Sequence, residues 1–162
     1  MKRLWTPWRL GFIQGPKPPE CIFCQKAKPG HDRENFVLTR GQKCFVLLNT
    51  YPYTSGHLMV APYEHTANLV DLDRETTAEM MELTKSSVKV IRVAYRTDSF
   101  NIGMNLGSAA GAGIADHLHL HVVPRWQGDS NFMSVIGDAR LIPETLDSTY
   151  DRLIQAGIAV TG

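Results

Sequence analysis

The chain has 162 residues, with 17 Lys and Arg against 16 Asp and Glu and a formal net charge of +1, which suits one domain that buries most of its surface without staples. So even a balance argues against a broad basic face for a nucleic-acid duplex while leaving small anionic ligands open. The absence of an apolar run near about 18 residues, or of a signal-peptide core, points away from a membrane partner and toward a cytoplasmic location.

Residues 1–20 hold Gly11, Gly15, Pro7, Pro16, Pro18 and Pro19, so they read as an extended N-terminal arm ahead of a single domain over 21–162. Trp5, Trp8, Phe12 and Ile13 on that arm need burial against their own domain or a partner subunit. Cys21 and Cys24 follow as Cys-x-x-Cys. In a chain with three cysteines and a reducing compartment, the pair reads as metal or redox chemistry rather than a disulfide, although a metal half-site needs two more ligands.

Residues 26–35 are polar, with a turn at Pro29 and Gly30. Runs 36–39 and 43–48 flank Arg40-Gly41-Gln42 and predict a hairpin whose nearly all-apolar second strand is central. Cys44 within that strand reads as core. A turn-rich stretch over 49–56 leads into a third strand over 57–61. Asp71 or Asp73 can cap a helix running to about Arg96, with Glu75 in its first turn. Met81, Thr84, Val88, Ile91 and Tyr95 form its apolar stripe and read as core rather than a cofactor box. Phe100, Ile102, Met104 and Leu106 alternate with Asn101, Gly103 and Asn105, which predicts another strand delivering Asn105 to its end.

The glycine-rich link over 107–113 (Gly107, Ser108, Gly111, Gly113) comes next, and its small residues let backbone N–H groups approach phosphate oxygens. It leads to the densest signal in the chain, His117, His119 and His121 alternating with Leu118, Leu120 and Val122. Period two predicts a strand with three imidazoles on one face and three aliphatics on the other, ending or lying at an edge by Pro124. Adjacent histidines then sit roughly 6.6 Å apart and the outer pair roughly 13 Å apart, too far for one metal to hold all three easily. Either a His-x-His pair recruits a distant third ligand into an open catalytic zinc site, or each histidine does a separate job on a bound polyphosphate. After a loop over 127–139, residues 141–156 predict a closing helix with Pro143 at its first position and a stripe of Leu146, Tyr150, Leu153 and Ile154. Helices set apart from hairpin-joined strands give an α+β domain with a mainly antiparallel sheet.

Residues 117–123 match His-φ-His-φ-His-φ-φ, with φ apolar, at every position, so the chain resembles the histidine triad (HIT) family. The run Leu4-Trp5-Thr6-Pro7-Trp8-Arg9 and the run Val123-Pro124-Arg125-Trp126 look most like the branch that includes diadenosine tetraphosphate phosphorylases. The resemblance covers roughly residues 3–155. It implies a HIT-like fold with a five-stranded sheet and two main helices, a homodimer or higher homo-oligomer, and a structural zinc held by Cys21, Cys24, His65 and His117, with no redox or organic cofactor. A closed Cys₂His₂ site leaves no position for water, which argues against the open His₃ zinc. The resemblance makes His119 the nucleophile on the α-phosphorus, His121 the group that stabilises or protonates the leaving oxygen, and His117 the third member of the triad. Ile22 and Phe23 would lie against the base and Asn49 against ribose. His57 and Asn105 would contact phosphate or orient the nucleophile, and Gly107, Ser108, Gly111 and Gly113 would line the phosphates. Many relatives carry Gln, Ser or Thr beside the second glycine of that loop. Ala112 and Gly113 stand here, leaving Ser108 or backbone to make such a contact. Arg125 is the nearest candidate for an acceptor phosphate. Phosphate as acceptor gives a phosphorylase, yielding ATP and ADP from diadenosine tetraphosphate. Water gives a hydrolase of dinucleoside polyphosphates or phosphoramidates, and a nucleotide-sensing protein is the reading from another class.

Overall fold

The computed structural model describes residues 20–129 and 142–158; the tryptophan-bearing arm and most of the loop over 127–139 lie outside them. Five strands form one antiparallel sheet: β1 (Val37–Arg40), β2 (Cys44–Leu48), β3 (Leu58–Pro62), β4 (Ser99–Met104) and β5 (Leu120–Arg125), in the order β1-β2-β3-β5-β4. The expected α+β class, hairpin and central strand are all present. β2 is apolar throughout because it is buried on both sides. Cys44, Val46 and Leu48 join Leu58, Val60, Leu120 and Val122 in one core, while Phe45 and Leu47 join Met59 and Ala61 in another.

The first core is closed by α3 (Arg74–Tyr95) and α4 (Leu146–Gln155), which contribute Met80, Ile91, Tyr150 and Leu153. Asp73 is the residue that caps α3, its carboxylate accepting from the Thr76 amide at 2.6 Å, a contact worth about 1 kcal/mol. The buried stripe of α3 runs through Thr76, Met80, Thr84, Ser87 and Ile91. It sits one residue away from the expected start, and Met81 is half-exposed. α4 begins later than expected. Thr145 caps it by accepting from the Ser148 amide, so Pro143 precedes the helix rather than opening it.

The polar stretch near the cysteines keeps its expected turn at Pro29 and Gly30, and two short helices that were not expected flank it, α1 (Ile22–Ala27) and α2 (Asp32–Asn35). α1 lies on the second face of the sheet and drives Phe23 into its core. Pro124 likewise stays inside β5. Its carbonyl accepts from the Thr54 hydroxyl at 3.0 Å, and a residue's N and O point to the same side of a strand, so its missing N–H falls beyond the last β3 partner, Val122. The proline therefore costs no ladder bond on that side. Among the described residues no helix is long and apolar enough to cross a membrane.

Candidate active site

The second face of the sheet carries the histidines. Leu118, Leu120 and Val122 enter the first core as the alternation requires, which turns the imidazoles to the opposite side. The three do not share one open face, however. β5 starts only at Leu120, and ahead of it the Leu118 amide donates to the Thr66 carbonyl at 2.7 Å. His117 is thereby drawn fully inside, at 0% exposure.

Its environment there is a Cys/His cluster. His117 Nε2 donates to the Pro62 carbonyl at 2.9 Å, and a carbonyl only accepts, so the Nδ1 lone pair is left facing Cys21 Sγ at 3.4 Å, Cys24 Sγ at 3.6 Å and His65 Nδ1 at 3.2 Å. His65 Nδ1 lies 3.3 Å from Cys24 Sγ, and all four donor atoms fall within 4.8 Å of one another. A tetrahedron with Zn–S near 2.3 Å and Zn–N near 2.05 Å has edges of about 3.3 Å between nitrogens and about 3.5 Å between nitrogen and sulfur. The donor set fits such an ion. The Pro62 carbonyl also supplies the outer hydrogen bond that fixes a ligating histidine's tautomer.

Two of the four ligands ride on or beside α1, and Arg40 pins that helix. Its guanidinium donates to the carbonyls of Lys26, Ala27 and Lys28 at 3.0, 2.7 and 3.1 Å and pairs with Asp32 at 2.7 Å. A cation on the unsatisfied carbonyls of a helix C-terminus is favourable both as a donor and toward the dipole. Sequence reading did not single out Arg40, because its contacts with α1 are all to backbone carbonyls.

His119 and His121 line a cleft on the other side of α1. Phe23 packs between the rings of His117 and His119, with centroids at 5.1 and 4.7 Å. His119 Nδ1 donates to the His117 carbonyl at 2.8 Å, which leaves Nε2 as an uncommitted lone pair. Burial lowers the His119 pKa, so the ring is neutral and nucleophilic near pH 7. His57, 1% exposed, sits behind this pair. Its Nε2 is 2.9 Å from His121 Nδ1, and its Nδ1 accepts from the Tyr53 amide at 3.0 Å. Burial first, then the neighbouring imidazoles, pushes His57 down to about 3 and His121 down to about 4.

Comparison with known proteins agrees with this geometry. Residues 31–128 match the HIT domain family. A Mycobacterium tuberculosis protein named AP-4-A phosphorylase is 40% identical over 158 residues, covering 92% of this chain and 80% of that one. The chain belongs to the HIT family. A yeast HIT relative, the adenosine 5'-monophosphoramidase HNT1 of Saccharomyces cerevisiae, is 30% identical over 65% of this chain and 62% of its own. A solved Zn-bound histidine triad family protein from Mycobacterium smegmatis superposes with a TM-score of 0.66 at 30% identity, covering 85% of this chain and 92% of that one.

In this HIT protein the cleft gathers most of the residues singled out from sequence. Ile22, Phe23, Asn49, Asn105, Gly111, Gly113, His119 and His121 line it. Gly107 and Ser108 do not, and both are exposed. The turn they start uses the Ala110, Gly111 and Ala112 amides internally. Arg125 is elsewhere. It lies six strand residues beyond His119, roughly 20 Å at 3.3 Å per residue, with its guanidinium on Asp129 at 2.6 and 2.8 Å and on Asn101 at 2.8 Å. It therefore does not line the cleft of its own chain. Thr50, Tyr51, Tyr53, Met59 and Ile114 do, and sequence reading missed them. Met59 could have been found, because it shares its strand face with His57 and pairs with His121.

Proposed function

We propose that the protein is a nucleotidyltransferase working through a nucleotidyl-histidine on His119, with diadenosine tetraphosphate as substrate and inorganic phosphate as acceptor. The observation that carries this reading is the His119 Nδ1 bond to the His117 carbonyl at 2.8 Å. It aims an unprotonated Nε2 into a cleft lined by one group, Ile22, Phe23 and Asn49, and by a second, Asn105, Gly111 and Gly113. A nucleoside on the first group and phosphates on the second would bring the α-phosphorus to that nitrogen. Positioning supplies much of the rate in such transfers, and the attacking ring needs no separate base.

His121 would face the leaving oxygen, and the M. tuberculosis relative named AP-4-A phosphorylase supports phosphate as acceptor. The hydrolase reading stands second, because the yeast relative is named a monophosphoramidase. Cys21, Cys24, His65 and His117 would hold a structural zinc that ties α1 to the approach of β5. With four protein ligands such an ion supplies cross-linking and no open coordination site. Among the described residues β4 ends the sheet with half-exposed Ile102, and half-exposed Leu106 follows it, an edge that would suit a second copy of the chain.

The test is product analysis with a trapping step. Incubation of diadenosine tetraphosphate with phosphate should yield ATP and ADP, and a brief pulse of α-labelled substrate should leave an acid-labile label that His119→Ala lacks. If His119→Ala keeps a tenth of the wild-type rate, a loss of only about 1.4 kcal/mol, His119 is not the nucleophile.

A further inference from the structure

We infer that the Tyr53 backbone amide, acting through His57, locks His121 as a hydrogen-bond donor that neither gives nor takes a proton. The site would then pass the nucleotidyl group only between weakly basic, anionic oxygens of the phosphate class. The inference rests on the transfer reading above and narrows its substrates.

The lock follows from donor accounting. A backbone N–H can only donate, so the Tyr53 amide at 3.0 Å makes His57 Nδ1 an acceptor. The Asn49 side-chain nitrogen stands 3.4 Å from Nδ1 and 3.5 Å from Nε2, so it favours neither. The Tyr53 amide decides the tautomer, and the His57 proton belongs on Nε2. That Nε2–H points at His121 Nδ1, 2.9 Å away, which must accept. The His121 proton is then on Nε2, the ring nitrogen left for the cleft that His121 lines.

Adding a proton to His121 Nδ1 would set two N–H groups against each other across that 2.9 Å contact. His57 could yield only by moving its proton to Nδ1, against the Tyr53 amide. The rings of Tyr53, at 4.7 Å, and His121, at 5.1 Å, pack on His57 and hold it in place. Removing the Nε2 proton instead would leave an imidazolate, far outside the reach of neutral pH. Burial, which keeps both rings neutral, works in the same direction.

The chemistry balances without proton transfer when both partners are phosphates. His119 Nε2 donates its lone pair to the α-phosphorus, the bridging P–O bond breaks, and its electron pair departs on the leaving polyphosphate oxygen. That oxygen is stable as an anion and takes only a hydrogen bond from His121 Nε2–H. In the second step an oxygen of inorganic phosphate attacks, the N–P bond breaks, and its electron pair returns to Nε2. Water as acceptor must shed a proton, and His121 Nε2 already carries one. An amine leaving group must gain a proton, and giving up the Nε2 proton would leave His121 an imidazolate. Phosphorolysis of a polyphosphate is the exchange this arrangement favours.

Two ratios measured on the purified full-length protein test this. With diadenosine tetraphosphate and phosphate present together, ADP should exceed AMP. Adenosine 5'-phosphoramidate, whose amine needs a proton, should turn over at least about 100-fold more slowly than diadenosine tetraphosphate, the low end of what general acid catalysis supplies. His57→Gln can present either an oxygen or an NH₂ group to His121, which frees its tautomer. It should lower the ADP to AMP ratio and raise relative phosphoramidate turnover by about tenfold or more. Ratios within one sample do not depend on how much of the variant is folded. Wild-type cleavage of the phosphoramidate within about tenfold of the tetraphosphate rate, AMP matching ADP, or ratios unmoved by His57→Gln would each overturn the lock while an adduct on His119 left the transfer reading standing. No labelled adduct at all would remove that reading, and the lock would fall with it.

Discussion

Acidification should destabilise this fold through His57 and His121. Both have an ordinary pKa of 6.5 and are held down to about 3 and about 4 in the folded chain. A folded pKa below the unfolded one means that the unfolded chain binds more protons, so stability is fully present above pH 6.5 and falls as the pH drops toward the folded values. Within that window each histidine costs up to about 1.4 kcal/mol per pH unit. One unit below 6.5 the two together remove about 3 kcal/mol, a large share of the roughly 5–15 kcal/mol that holds a domain folded. At a urea slope near 2 kcal/mol/M, the midpoint should move down by about 1.5 M between about pH 7.5 and 5.5. Equilibrium urea unfolding followed by fluorescence reads this directly. The Cys/His cluster is also acid-sensitive, since ligand protonation releases a metal. The control is therefore the double variant His57→Gln/His121→Gln, which keeps the cluster and loses the pair. Wild type should lose about 3 kcal/mol more than the double variant over that range. Equal losses would mean that the two imidazoles are not held neutral by burial, and the reasoning would fail.

Metal analysis of the purified protein should find about one zinc per chain, and Cys24→Ser should lower both the zinc content and the melting temperature; a metal-free protein with an unchanged melting temperature in the variant would remove the ion. Gly56 takes a left-handed φ of +77°, and an added Cβ would lie 2.9 Å from the Tyr95 ring. Gly56→Ala should therefore cost about 1–3 kcal/mol in thermal or urea unfolding, and an effect below about 0.5 kcal/mol would show that the turn relaxes freely.

The histidine run was legible because period two is a geometric rule. Leu118, Leu120 and Val122 could only face one way, and they fill the first core. The α3 cap was legible for a similar reason, since Asp73 offers its carboxylate to an orphan amide wherever the helix starts. The stripe of α3 was legible at Thr84, Val88, Ile91 and Tyr95, all buried or packed on the core, and missed at its first position. Met80 and Met81 are chemically identical, and only docking on the sheet decides which of them turns inward. Helix α1 was not legible, because six residues make a marginal helix alone. It is held by Arg40 from 12 to 14 residues away, through carbonyls that any sequence would provide.

The same limit runs through the site itself. Sequence named the imidazoles, yet each one's chemistry is set by a backbone atom. The Pro62 carbonyl turns His117 Nδ1 toward the cysteines, the His117 carbonyl bares His119 Nε2, and the Tyr53 amide fixes His57 and, through it, His121. A tautomer is chosen by whether the nearest main-chain group donates or accepts, and every residue but proline carries both kinds. Division of labour among four chemically identical side chains is therefore a property of the fold's hydrogen bonding. A substitution at Tyr53 that keeps its amide in place should leave that division intact, whereas one that moves the 51–56 turn should blur it without touching a histidine.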